Sequence, residues 1–169
     1  MSVFLQPIYT QTVGSGGASS ITFNSIPQTF TDLALQMSLR TTASAIFDYM
    51  GLNINNGSAV EIIRLQGTGS AANSTRSAGG NSFIVNGNTS TANTFSSSFV
   101  YLPNYTTTNS KQFIIDTVTE TNATGAYQEL DAMYFANSST STTTISLYAS
   151  GNFMQYSTFS LYGVLRQGI

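Results

Sequence analysis

The chain has 169 residues, enough for one domain with a real core and too few for two ordinary ones. Charged residues make up 7% of it, against roughly 25% in a typical globular protein, so its surface has to be polar but mostly uncharged. Five basic and seven acidic side chains give a net charge of -2, which leaves no electrostatic footprint for nucleic acid or an anionic membrane. Cysteine is absent, which excludes disulfides, thiolate metal sites and cysteine nucleophiles. A 41% hydrophobic and 12% aromatic content is enough to bury a core despite the abundance of Gly, Ser, Thr and Asn.

The start, MSVFLQPIYTQTVGSGG, lacks a basic leader, and Gln6, Pro7 and Gln11 interrupt its apolar residues. It reads neither as a signal peptide nor as a membrane span, and a product kept in the cytoplasm where it is made is expected. Residues 1–13 form an N-terminal arm or a first strand, with alternation over Ile8 to Val13, and residues 14–169 form a single β domain. Gly14 to Ser20 has the composition of a hinge between them. On that reading, removing Met1 to Val13 leaves the domain folded.

Ser19 to Phe23 is the next predicted strand, followed by a turn at Pro27 and Gln28, where proline's missing N–H is not needed. From Thr31 to Arg40 the period is two: Leu33, Leu35, Met37 and Leu39 share one face, and Asp32, Ala34, Gln36, Ser38 and Arg40 share the face expected to be outward. Phe47 to Ile54 leads into the turn formers Asn55, Asn56 and Gly57, and Val60 to Leu65 leads into GTGSAANSTRSAGG, a small, polar stretch expected to be a long exposed loop. Further strands are predicted over Ser82 to Val85, Phe95 to Leu102, Gln112 to Thr119, Ala126 to Phe135, Thr143 to Ala149 and Thr158 to Leu165, with Asn86-Gly87 and Gly151-Asn152 as turns.

About ten or eleven short strands and no amphipathic helix predict an all-β protein, an antiparallel β-sandwich of jelly-roll type. Inward positions are Leu33, Leu35, Met37, Leu39, Phe113, Ile115, Ile145, Leu147, Phe159 and Leu161.

The chain has no histidine, which removes the commonest general base and metal ligand and every Ser-His-Asp arrangement. Carboxylate-only chemistry stays open to Asp32, Asp48, Glu61, Asp116, Glu120, Glu129 and Asp131. Glu129 and Asp131, two apart on a strand, share a face, which suits either an acid pair or a hard cation on the one hand, or two solvated charges on the other. No dense Asp/Asn calcium loop is present, and GTGSAAN lacks the lysine of a phosphate loop. No catalytic, cofactor-binding or metal-binding residue is assigned, and an enzyme is not expected. Aromatic and apolar residues away from the predicted core are the candidates for a partner interface: Phe4, Leu5, Ile8 and Tyr9 in the arm, and Tyr101 and Tyr105 around the turn Leu102-Pro103-Asn104.

The blocks SSITFNSIPQTFTDLALQMSLR, GLNINN, LPNY followed by Lys111, and GNFMQYSTFSLYGV resemble a group of small virion proteins of tailed bacteriophages, especially those of cyanobacteria and marine bacteria. The resemblance runs from about Ser19 to Val164. It implies a jelly-roll or sandwich protein that is either a cement protein on the outside of a capsid or a tail-associated adhesin. A single domain without a heptad stem suits decoration: binding to the major capsid protein on the capsid exterior, as a homo-oligomer such as a trimer, with no cofactor, nucleic acid or membrane. The alternative is a tail module that holds host-surface glycan with exposed Tyr, Asn and Thr, and a third reading is a glycan hydrolase using Glu129.

Overall fold

Apolar alternation has to bury one face of every strand, and this chain does so by laying two antiparallel sheets against each other. The computed structural model describes residues 3–57, 61–79, 82–120, 122, 126–135 and 140–166, with the backbone alone for Val3, residues 126–135 and Arg166. Among the described residues there are twelve strands and no helix: β1 (Val3–Thr12), β2 (Ala18–Phe23), β3 (Asp32–Leu39), β4 (Phe47–Ile54), β5 (Glu61–Gly67), β6 (Ala72–Ala78), β7 (Ser82–Asn86), β8 (Ser96–Pro103), β9 (Lys111–Glu120), β10 (Ala126–Phe135), β11 (Ile145–Phe153) and β12 (Thr158–Arg166).

The larger sheet has eight strands in the order β1-β12-β3-β8-β9-β10-β5-β6, and the smaller has four, β2-β11-β4-β7. All ten inward positions named from the sequence are at most 3% exposed. Leu33, Leu35, Met37, Leu39, Phe159 and Leu161 from the larger sheet join Ile21, Met50, Leu52, Ile145 and Leu147 from the smaller in one core. Each is worth about 1.5–3 kcal/mol of burial. β7 packs across β9, so β5 and β6 extend beyond the cover of the smaller sheet as a wing.

Several expectations need correction. The face of β3 expected to be outward is wet only in part: Gln36 is exposed and Ser38 half-buried, but Asp32, Ala34 and Arg40 are 0%, 2% and 5% exposed. β3 lies between β12 and β8, and Ala34 pairs with Tyr162 on one side and Tyr101 on the other, so neighbouring rings stand on both flanks of a small residue. Residues 3–13 are not a free arm. Residues 3–12 ladder with β12 and Val13 is buried, so deletion of Met1 to Val13 takes a strand from the margin of the larger sheet and a residue from the core.

The stretch 67–80 is mostly strand: β6 pairs along its whole length with β5. Its sequence, ANSTRSA, has no apolar alternation because none of its seven residues is buried on either face. Gly151-Asn152 lies inside β11, where the register with β2 shifts, rather than in a turn. Asn55 and Asn56 do take positive φ, 46° and 62°, as their turn chemistry requires.

Gly163 ties the middle of β12 to the segment before β3. A Cβ there would stand 2.3 Å from the Phe30 ring, which covers this position. We expect Gly163→Ala to cost about 1–3 kcal/mol of stability through overpacking, seen as a lower urea midpoint with an unchanged slope. A neutral result would mean that Phe30 can swing away freely.

Candidate interaction surface

The blocks IPQTFTDL and LPNY meet in space and hold each other. Tyr105 is fully buried and its hydroxyl donates to the Pro27 carbonyl. The Gln28 side-chain amide donates to the carbonyls of Ile26 (2.8 Å) and Thr142 (3.0 Å). The Asp32 carboxylate accepts from the Tyr101 hydroxyl at 2.7 Å and from the Asn104 amide at 2.9 Å, and Asn104 takes a positive φ of 50° to present that amide. Burial pushes the Tyr105 hydroxyl above its usual pKa. These residues are scaffold, and Tyr105 is no contact residue.

Two cations are buried on backbone carbonyls. Arg40 Nη1 donates to the carbonyls of Thr91 (2.6 Å) and Thr94 (3.0 Å), and Nη2 to those of Asn88 (3.0 Å) and Ser90 (2.9 Å). The planar guanidinium fork suits this multiple bonding in a way that a lysine would not. From the other side the Glu120 carboxylate accepts the Thr91 amide, the Thr91 hydroxyl (2.9 Å) and the Thr94 hydroxyl (3.1 Å). Lys111, 1% exposed, donates to the carbonyls of Thr107 and Asn109, both at 2.6 Å. Its burial lowers its pKa from the ordinary 10.5.

The carboxylates show no catalytic arrangement among the described residues. Asp48 accepts the amides of Tyr49 (2.7 Å) and Gly151 (3.0 Å), and Glu61 pairs with Arg76 at 2.7 Å on the exposed face of the wing. No cluster of three or more His, Cys, Asp or Glu is present among the described residues. Glu129 and Asp131 stand at register positions opposite Gln66 and Arg64, and their side chains lie outside the described residues.

The arm candidates divide. Tyr9 stacks on Phe23 at 5.7 Å and its hydroxyl donates to the Asn24 carbonyl, while Ile8 packs against the core. Phe4 and Leu5 remain free of such ties, 60% and 51% exposed. Tyr101 is half-buried and bonded to Asp32.

An exposed group of apolar residues among the described ones is a feature that sequence reasoning missed. On the outer face of the larger sheet, Phe99 of β8, Ile114 and Val118 of β9, and Ile63 and Leu65 of β5 are 40–61% exposed. Cross-strand register joins them: Ile114 stands opposite Ala132 of β10, which stands opposite Ile63, and Asp116 links Phe99 to Leu130 and so to Leu65. Some of the residues that alternate with core positions, Ile114 and Val118 on β9 and Ile63 on β5, are therefore apolar as well, although Gln112 and Asp116 on β9 are not. Both faces being apolar is the signal that was available, and period-two reasoning sorted these residues as the solvent side.

A separate cleft of about 370 Å³ opens over Arg40, walled by Asn88, Asn93, Phe95, Gln155 and Tyr156. Tyr156 is 66% exposed and held at a φ of 73°, which a bulky residue adopts only at a cost of about 1–3 kcal/mol. No helix among the described residues is long and apolar enough to cross a membrane. No family model matches the chain, and no curated protein or solved structure matches it.

Arg40→Met, which takes a charged donor away from four carbonyls, should lower stability by about 3 kcal/mol or more and raise amide exchange across 88–94. Lys111 binds its proton more weakly when folded, so its penalty on stability is present at neutral pH and fades as pH rises toward 10.5. The stability of wild type relative to Lys111→Met should therefore climb in that range, a difference that cancels the opposite contribution of Tyr105. A flat difference would contradict burial of the charged ammonium.

Proposed function

We propose that this protein is a virion structural protein, a capsid decoration protein of a tailed bacteriophage that binds the major capsid protein and stabilises the head. The exposed apolar face of the larger sheet, centred on Ile114, carries this reading. A surface of this kind, with Asp116 set among its apolar residues and the Glu61–Arg76 pair at its margin, suits a protein partner far better than solvent.

The strand order supports the same reading. We take β1-β12-β3-β8 over β2-β11-β4-β7 as a jelly roll of eight strands, to which β9, β10, β5 and β6 add an extension on one side. Jelly rolls recur in viral capsid and lectin domains, and the added strands carry most of the apolar face. Phe4 and Leu5 at the opposite edge offer a smaller second contact. A homo-oligomer, a trimer on the resemblance to phage cement proteins, belongs to the proposal, as does a location on the capsid exterior after synthesis in the host cytoplasm.

Lectin-type jelly rolls keep the alternative alive through one observation, the cleft beside Tyr156. An exposed ring with Asn88, Asn93 and Gln155 around it is the chemistry of a neutral sugar site, as a tail-associated receptor-binding module would need.

Purified protein should cosediment with phage capsids stripped of it. Ile114→Asp should weaken that association at least tenfold while leaving thermal stability within about 0.5 kcal/mol, because the side chain is 61% exposed. Binding to host cells instead of capsids, lost in Tyr156→Ala, would decide for the tail module.

A further inference from the structure

The four sheet edges of this protein are treated differently. β1 carries Pro7, which has no N–H to offer, and a bulge between Pro7 and Tyr9. At β2 the neighbouring β1 closes in, with Tyr9 stacked on Phe23 and bonded to the Asn24 carbonyl. At β7 the carbonyls of Ser82, Ile84 and Asn86 are taken by Arg64 Nη2, by Thr117 Oγ1 at 3.0 Å and by the Thr41 amide at 2.9 Å.

β6 has none of these devices. It contains no proline, no lysine and no bulge, its register with β5 is unbroken from Ala72 to Ala78, and its other edge meets no strand. All seven of its residues are exposed, so within one chain it is held by its ladder to β5 and the Glu61–Arg76 pair with no burial at all. A strand in that state is a pairing surface.

We infer that β6 pairs antiparallel with β6 of a second copy about a two-fold axis at Thr75, joining two larger sheets into one. The inference does not rest on the virion reading, and its two-fold dimer competes with the trimer that the resemblance to phage cement proteins implies. The strand is self-complementary about its midpoint. Pairing centred on Thr75 uses all seven residues and sets Ala72 opposite Ala78, Asn73 opposite Ser77, Ser74 opposite Arg76 and Thr75 opposite itself. Threonine facing threonine is a favourable cross-strand pair, and no like charges meet, because Arg76 faces serine and is already paired with Glu61. A second copy fits better than an unrelated strand, since nothing on β6 selects side chains of another kind. The contact is small, so a dissociation constant on the order of 10–100 µM is expected.

Sedimentation equilibrium tests this. Wild type should pass from monomer to dimer over about 5–500 µM. Thr75→Lys and Thr75→Glu, which place like charges across the axis on an exposed strand, should each stay monomeric with unchanged circular dichroism and thermal midpoint. Mixed one to one, they should dimerise again. A wild type that is monomeric throughout, a trimer, or a dimer indifferent to both substitutions would overturn the proposal. So would two monomeric variants that fail to pair when mixed.

Discussion

A buried guanidinium surrounded by backbone carbonyls is the interaction on which one end of the sandwich depends. The segment 88–94 connects β7 of the smaller sheet to β8 of the larger, and it has no apolar side chain to anchor it beyond Ala92. Its carbonyls converge instead on Arg40, at the end of β3, while Glu120, at the end of β9, takes its amide and hydroxyls. One cation and one carboxylate thus clamp the same polar loop. At the other end Lys111 does the same for Thr107 and Asn109. With so few charges in the chain, placing two of five basic residues inside it is a heavy structural commitment. All four terminal N–H directions of Arg40 are in use on these carbonyls.

The same logic governs the segment before β3. Thr31 donates both its amide (2.9 Å) and its hydroxyl (2.6 Å) to the Val164 carbonyl, Phe30 covers Gly163, and Asp32 draws in Tyr101 and Asn104. The blocks IPQTFTDL and LPNY are therefore places where the chain is tied to distant parts of itself. They specify architecture, and the exposed apolar face lies largely on other residues.

Much of the architecture was legible in the sequence because period two survives wherever one face is buried and the other wet. β4 and β10 have the predicted limits, and every predicted inward residue is in the core. What escaped did so for physical reasons. β6 has no buried face and hence no hydrophobic period to read. The second face of β3 is covered towards its two ends and open at Gln36, so Asp32 and Arg40 look like surface residues until their partners, 72 and about 50 positions away, are in view. Tyr105 looked like a contact residue because a turn flanks it, yet its ring is buried and its hydroxyl bonded. The exposed row of Ile63, Leu65, Ile114 and Val118 falls at positions that alternation assigns to solvent, and only the two-dimensional register assembles it into one surface.

The proline and bulge of β1 bear on what kind of assembly a larger sheet with an open edge is able to build. Had both outer strands been open, each copy would accept a neighbour on either side, and the sheets would add end to end without limit, as fibrils do. Blocking one margin makes growth self-terminating. At high protein concentration, that difference separates a material that stays dispersed from one that gels.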